Sequence, residues 1–256
     1  MKKLFSFAIL LLLLQSCATY QPIGYRATTP QIAELADQGD ISGMATFGLN
    51  HVEAQAAISP IKHVGIIGNT YQGSDFYTRE LGIGTYYAFN EKFLIELYGS
   101  FGKSRLNQVR FDTTENNFSP FTVYSEDRMN HAYTISAFQL NGTYRLPNFS
   151  ASMGAKYTIA DYTALDYYSK RTNFYSYNQE TKEAFYQDEL NNKQFLALTV
   201  RITYGWPHWR VFAQYTGNIH LTGSNDGLND APYFRRHLIS SGIIFQYGLK
   251  KKPSID

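Results

Sequence analysis

A single cysteine in 256 residues leaves this chain unable to form an intramolecular disulfide, so its fold is held without covalent cross-links. Charge of one sign is also missing. The 23 Lys and Arg against 21 Asp and Glu give a formal net charge of +2, and no basic stripe with interleaved stacking residues is present, which excludes nucleic acid as a partner. The apolar run Leu4 to Leu14 is too short to cross a bilayer as a helix, which takes about 20 residues. A mean hydropathy of −0.32 argues against a helical membrane protein, although alternating membrane strands hide from such an average. Six histidines, His51, His63, His131, His208, His220 and His237, are scattered without metal-ligand spacing, so no metal is expected. Gly82-Ile83-Gly84 continues a strand pattern instead of opening a helix and is no nucleotide motif. No cofactor is expected either.

What the chain does have is Tyr, 21 of them, with 19 Gly and 16% aromatics, a balance that favours strands. The organising stretch is Glu80 to Gly102, two alternating runs joined by a tight turn at Phe89-Asn90-Glu91-Lys92. Leu81, Ile83, Thr85 and Tyr87 share one face before the turn, and Phe93, Ile95, Leu97, Gly99 and Phe101 share one after it, which is the period of a strand. Variants of this unit predict ten strands between residues 41 and 249. Short turns fall near Pro60, Asn90, Pro147 and Pro207, and long polar stretches fall at 105–130, 163–192 and 221–233. Short turns at one end and long loops at the other are the signature of an antiparallel up-and-down barrel in an outer membrane. Ten strands, with eight as the alternative, would leave both termini on the periplasmic side, and an N-terminal anchor with them. Residues 250–256 read as a solvated tail.

Strands in hydrocarbon must close on themselves, and a Lys or Arg on the lipid face near the midplane costs roughly 2–4 kcal/mol. Charges should therefore share the inward parity. Trp209, Val211, Ala213 and Tyr215 are expected outward with Arg210 inward. Leu196, Leu198, Val200 and Ile202 are expected outward with Arg201 inward, and Met153, Ala155 and Tyr157 outward with Lys156 inward. The run from His131 is less clean, since Tyr133 and Ile135 share a face with Gln139 and Asn141. Collected, the inward charges are Glu53, Glu80 and Glu96 from the early strands and Lys156, Arg201, Arg210 and Arg236 from the late ones. They are expected to meet across the bore and plug it, a resemblance in architecture to the filled interiors of small outer-membrane barrels. The sharper alternative is a solute path or an acid–base site. Trp206, Trp209, Tyr204, Tyr144, Phe149, Phe89 and Phe93 flank the short turns, where an interfacial girdle belongs.

Residues 1–16 carry Lys2 and Lys3 before the apolar run and read as a secretory signal. The signal ends in Leu14-Gln15-Ser16-Cys17, which resembles the lipobox of bacterial lipoproteins; the resemblance implies a triacylated Cys17 as the mature N-terminus. Acylation at several chains anchors far more firmly than one. Residues 17–40 are expected to form a tether. Within it Thr29 and Pro30 would serve as N-cap and first-turn proline of a short helix that ends near Gly39 and lies against the rim through Ile32 and Leu35. In the long stretches, Tyr167, Tyr168, Phe174, Tyr175 and Tyr177 stand among small polar residues, a composition suited to binding protein or glycan. The alternative there is that strands extend past the bilayer and the rings pack over the mouth. Asp112-Thr113-Thr114 resembles an O-glycosylation sequon of Bacteroidota-type bacteria. His237 with Ser240 or Ser241 lacks the one-face spacing of a barrel esterase. The expectation is a lipid-anchored outer-membrane barrel with a structural, accessory or surface-binding role and no catalysis. A small-solute channel, a lipid-modifying barrel enzyme and a soluble lipocalin-like cup are the rivals.

Overall fold

The computed structural model describes residues 29–48, 51–73, 76–115, 122–174, 179–187, 192–206, 208–221 and 237–248. These contain β1 (Ile41–Gly48), β2 (His51–Ile61), β3 (Val64–Gly73), β4 (Phe76–Ala88), β5 (Phe93–Glu115), β6 (Thr122–Leu146), β7 (Phe149–Phe174), β8 (Gln179–Gln187), β9 (Asn192–Gly205), β10 (Trp209–His220) and β11 (His237–Tyr247). Every pairing is antiparallel between neighbours in space. The sheet runs from β1 to β7, passes to β9, β10 and β11, and closes where Ile41 faces Tyr247 and Thr46 faces Gly242. Ten strands make the cylinder. β8 is an eleventh that pairs only with the upper part of β7, Asp166–Phe174, and so continues the wall above β9.

Closure of the ten-stranded cylinder through β1 and β11 removes the edges at the height where all ten strands pair, and the side chains then sort by parity. Leu81, Ile83, Phe93, Ile95, Phe101, Phe138, Leu140, Met153, Leu198, Val200, Ile202, Trp209, Tyr215 and Ile239 are exposed on the outer surface. Ser100, Gln139, Asn141, Thr199, Arg201, Gln214 and Thr216 are buried inside it. That polarity is the inverse of a water-soluble barrel and suits a hydrocarbon surround. The outer apolar band gives way to Arg79, Lys103, Thr134 and Asp161 on successive strands, all outward and exposed. At the other end Phe89, Trp206, Trp209 and Tyr204 are exposed beside the short turns, and tilted ring pairs such as Phe93–Tyr144 (4.9 Å) and Trp209–Phe245 (5.0 Å) complete a girdle there.

The short turns follow from local chemistry. Asn90 Oδ1 accepts the amides of Lys92 (2.8 Å) and Phe93 (2.9 Å), an Asx turn that pins the register of β4 against β5. Pro60, expected in a turn, instead lies at the end of β2, where the pairing with β3 slips between Ile58 and Ile61. A bulge tolerates the missing donor, and the turn itself is Lys62-His63 with φ 66° at His63.

Two expectations are corrected. Residues 105–130 are not simply a loop: β5 and β6 stay paired from Arg105–Ala132 to Glu115–Thr122. Likewise β7 continues through 163–174 and β8 returns beside it, so Tyr167, Tyr168 and Phe174 stand on a strand, which is the alternative of strands extending past the bilayer. β5, β6 and β7 reach 23, 25 and 26 residues, against 8 to 13 for β1 to β4, and the barrel is therefore tall on one side and low on the other. The mixed face of β6 also resolves. Tyr133, Ile135, Gln139 and Asn141 all point inward, the first two into a buried apolar cluster with Leu106, Ala160, Tyr162 and Phe195 on the inner face towards the tall end.

One glycine position carries a prediction. The ring of Tyr98 lies against Gly65 across the inner face, and a Cβ there would come within 2.8 Å of Tyr98 Cε1 and 3.0 Å of Leu35 Cδ1. Gly65→Ala is expected to destabilise the barrel by about 1–3 kcal/mol through overpacking. Gly99→Ala, with nothing within 4 Å of its added carbon, should stay within about 0.5 kcal/mol. Urea unfolding of the two variants in detergent micelles reads the difference.

Candidate functional site

The lumen is not lined by strands alone. Residues 29–36, expected as a helix against the rim, form no helix; they run through the barrel interior as a strap, with Thr29, Gln31, Ile32, Ala33, Glu34 and Leu35 all buried. The reason lies in the backbone. A chain inside the bore must have its amides and carbonyls satisfied, and inward side chains supply the partners. Gln31 N donates to Gln139 Oε1 (3.2 Å), and Gln31 O accepts from Gln139 Nε2 (2.7 Å) and Asn141 Nδ2 (2.8 Å). Ile32 O accepts from Arg201 Nη2 (2.8 Å), and Leu35 N donates to Glu96 Oε1 (3.3 Å). These bonds come from β5, β6 and β9 at fixed heights and leave no intrahelical ladder to form. Asp40 Oδ2 then takes the amides of Ala36 and Asp37 (2.8 Å each) and turns the strap into β1.

The charge cluster assembles around this strap. Glu34, which the sequence reading missed, is its centre: Oε1 accepts from Arg201 Nη2 (3.0 Å) and Ser150 Oγ (3.0 Å), and Oε2 from Arg210 Nη1 (3.3 Å). Its backbone sits at φ 57°, a left-handed conformation that a glutamate holds only when its surroundings fix it. Lys156 Nζ bridges both oxygens of Glu80 (2.9 and 2.7 Å), with Ser100 Oγ also donating to Glu80 at 3.0 Å. Glu53 accepts from Thr29 Oγ1 (2.6 Å) and Gln55 Nε2 (3.0 Å). Glu96 meets Leu35 N and Tyr98 Oη (3.1 Å).

The expected meeting of opposite charges across the bore is thus direct for Glu80 with Lys156. Arg201 and Arg210 are answered instead by Glu34 of the strap. Arg236 lies outside the described residues. Beside Thr29, Gln31, Asn69, Glu80 and Lys156 a void remains with room for about one water.

Ser104 Oγ lies 3.5 Å from His131 Nε2 and accepts from Thr78 Oγ1 (2.9 Å), but all three are buried, His131 against the ring of Tyr133 at 5.1 Å. Ser240 is buried on the inner face of β11 while Ser241 is half-buried on the other parity. No group of three or more His, Cys, Asp or Glu is placed to hold a metal ion among the described residues. On the tall wall the guanidinium of Arg128 stacks over the ring of Tyr168 at 5.7 Å. Tyr175, Tyr177 and Cys17, like the tail, fall outside the described residues.

A signal for Glu34 did exist in the sequence. Two late-strand arginines, Arg201 and Arg210, share the short-turn end with one inward acid, Glu96, and the segment leading into β1 carries three carboxylates, Glu34, Asp37 and Asp40.

No family model matches the chain, and no curated protein matches it. Among solved structures it is similar to the outer membrane protease OmpT from Escherichia coli, with 10% identity and a TM-score of 0.43 over 82% of this chain and 93% of that one. It is also similar to the CymD monoaromatic hydrocarbon channel, with 10% identity and a TM-score of 0.26 over 84% and 90%. OmpT of Vibrio cholerae, an outer membrane protein, matches at 11% identity and a TM-score of 0.18 over 82% and 96%. These values describe likeness of barrel form and nothing of the chemistry inside.

Proposed function

We propose that this chain is an outer-membrane barrel, lipid-anchored at Cys17 and closed by its own strap, with an accessory or surface-binding role and neither conduction nor catalysis. The observation that carries this reading is the strap: residues 29–36 occupy the bore, and the inward charges of the wall are spent on it and on each other. A transport path needs inward polar groups that a solute can reach, and here they are buried in protein contacts. The short-turn end with its aromatic girdle faces the periplasm, and the tall wall of β5, β6 and β7 rises on the cell surface. That wall, with Tyr168 and Arg128 on it, is the surface offered to a protein or glycan partner.

Planar-bilayer recording separates this reading from a small-solute channel. The intact purified protein is expected to insert without unitary conductance steps. A steady ohmic conductance from the intact chain would overturn the plug and favour the channel.

A further inference from the structure

The outer wall carries a cluster of cations that the fold brings together and does not neutralise. Arg79 on β4 and Lys103 on β5 face each other directly, and Arg105 stands one pleat above Lys103, opposite Tyr77. All three cations point outward and are exposed. Adjacent strands lie about 5 Å apart and alternate residues about 7 Å, so the three charges share one patch. Like charges directly opposite each other on a sheet destabilise it. Among the described residues no carboxylate is paired with any of them: the ion pairs are Arg128–Glu126, Lys156–Glu80 and the two of Glu34. The guanidinium of Arg79 lies over the ring of Tyr77 at 5.4 Å, and the acid at the same height, Asp161 on β7, has the whole width of β6 between it and Lys103.

The height of the patch says what completes it. Directly below, Leu81 faces Phe101, 66% and 74% exposed on the lipid side. Below Phe101 the wall is indented: a Cβ on Gly99 would meet nothing within 4 Å, and Gly99 lies between Ile83 and Phe138, both exposed. Beside the cations, Thr70 opposite Arg79, Gln72 opposite Tyr77 and Thr134 opposite Lys103 turn exposed hydroxyls and an amide outward. We infer that Arg79, Lys103 and Arg105 form a site for the phosphates of a glycolipid in the surrounding leaflet, with its sugar on Thr70, Gln72 and Thr134 and its acyl chains against Leu81, Phe101 and the recess at Gly99. A glycerophospholipid sets one phosphodiester charge against three cations and leaves the hydroxyls and amide without sugar to bond. A phosphomonoester carries about −1.5 to −2 at neutral pH and accepts through three oxygens, which suits crowded guanidinium and ammonium groups. Resting on the reading that the tall wall rises on the cell surface, the leaflet is the outer one.

The test titrates the purified full chain in detergent micelles with lipid A, a phosphorylated diglucosamine bearing several acyl chains, and reads the bound fraction by native mass spectrometry. Each cation beside an anionic membrane surface contributes roughly fivefold, so the triple variant Arg79→Gln, Lys103→Gln, Arg105→Gln is expected to bind about a hundredfold more weakly. Lys92→Gln, which removes an exposed cation at the short-turn end, should bind as the native chain does. Lipid A stripped of its phosphates should lose affinity for the native chain to the same extent. The shift in gel mobility on heating checks that each variant is folded. A folded triple variant that binds lipid A like the native chain, or a native chain that binds the stripped lipid undiminished, overturns the site. Equal affinity for phosphatidylglycerol overturns the glycolipid. Orientation is read apart from binding, by a membrane-impermeant maleimide on Thr181→Cys, exposed on the tall wall. It should react in intact cells above the background of the native chain. Reaction only after permeabilisation overturns the outer leaflet, and the surface reading with it, while the micelle titration stands.

Discussion

Glu34→Leu is expected to cost about 3–5 kcal/mol of barrel stability, because it strands two guanidiniums, Arg201 and Arg210, in a bore from which water is excluded. Arg201 is 1% exposed, and among the described residues Glu34 is the carboxylate at ion-pair distance from it. Leucine fills a similar volume, so the loss reports charge and not packing. Arg201→Met alone should also destabilise, by leaving Glu34 to Arg210 and Ser150. The double variant is expected to recover part of the sum, with a coupling of about 1–3 kcal/mol between the two sites. Glu34→Gly separates a further effect. It removes the same carboxylate but relaxes the φ of 57°, and should stand about 1 kcal/mol above Glu34→Leu. Urea unfolding into and out of lipid vesicles gives all four values, and a Glu34→Leu barrel as stable as the native one would mean that the strap does not hold the charges together.

Why this centre escaped a reading of the sequence, while the ten strands did not, follows from what each feature answers to. A strand between lipid and lumen faces two unlike solvents, so Leu81 to Tyr87 and Leu196 to Tyr204 must alternate, and that alternation is visible without coordinates. Above the band the outer solvent is water. Lys103, Arg105 and Asn107 are as welcome outside as Ser104 is inside, and the period fades while the hydrogen-bonded ladder of β5 and β6 goes on. Strands 105–115 and 122–130 therefore look like loop. The strap failed for a different reason. Thr29-Pro30 followed by Ala33, Glu34, Leu35 and Ala36 is locally a respectable helix start, but propensities of a few tenths of a kcal/mol per residue lose to a bore that offers Gln139, Asn141, Arg201 and Glu96 to the backbone. Inward parity of the charges was legible because it follows from the wall. Their pairing was not, since it depends on a segment outside the wall.

Excising Thr29–Leu35 is expected to convert a silent barrel into a conducting one. With the strap gone, Glu53, Glu96, Gln139 and Asn141 lose the groups they now bond, and water takes their place along the bore. Arg201 and Arg210 lose Glu34 and become a pair of hydrated cations near the short-turn mouth, while Glu80 and Lys156 still neutralise each other higher up. The two freed carboxylates, Glu53 and Glu96, balance these two cations, so the open pore should show little preference for either sign of ion, read as a reversal potential near zero in a salt gradient. Replacing Arg201 and Arg210 by glutamine in the excised chain should leave Glu53 and Glu96 uncompensated, shift the reversal potential towards cation preference and keep the conductance. It also relieves the two cations that would most hinder folding of the excised barrel. A synthetic peptide of residues 29–36 added from the periplasmic side should shorten the open time. An excised barrel that folds, shifts on heating as the native one does and stays silent would mean that wall side chains, led by the Tyr133 and Tyr162 cluster towards the tall end, seal the bore without the strap.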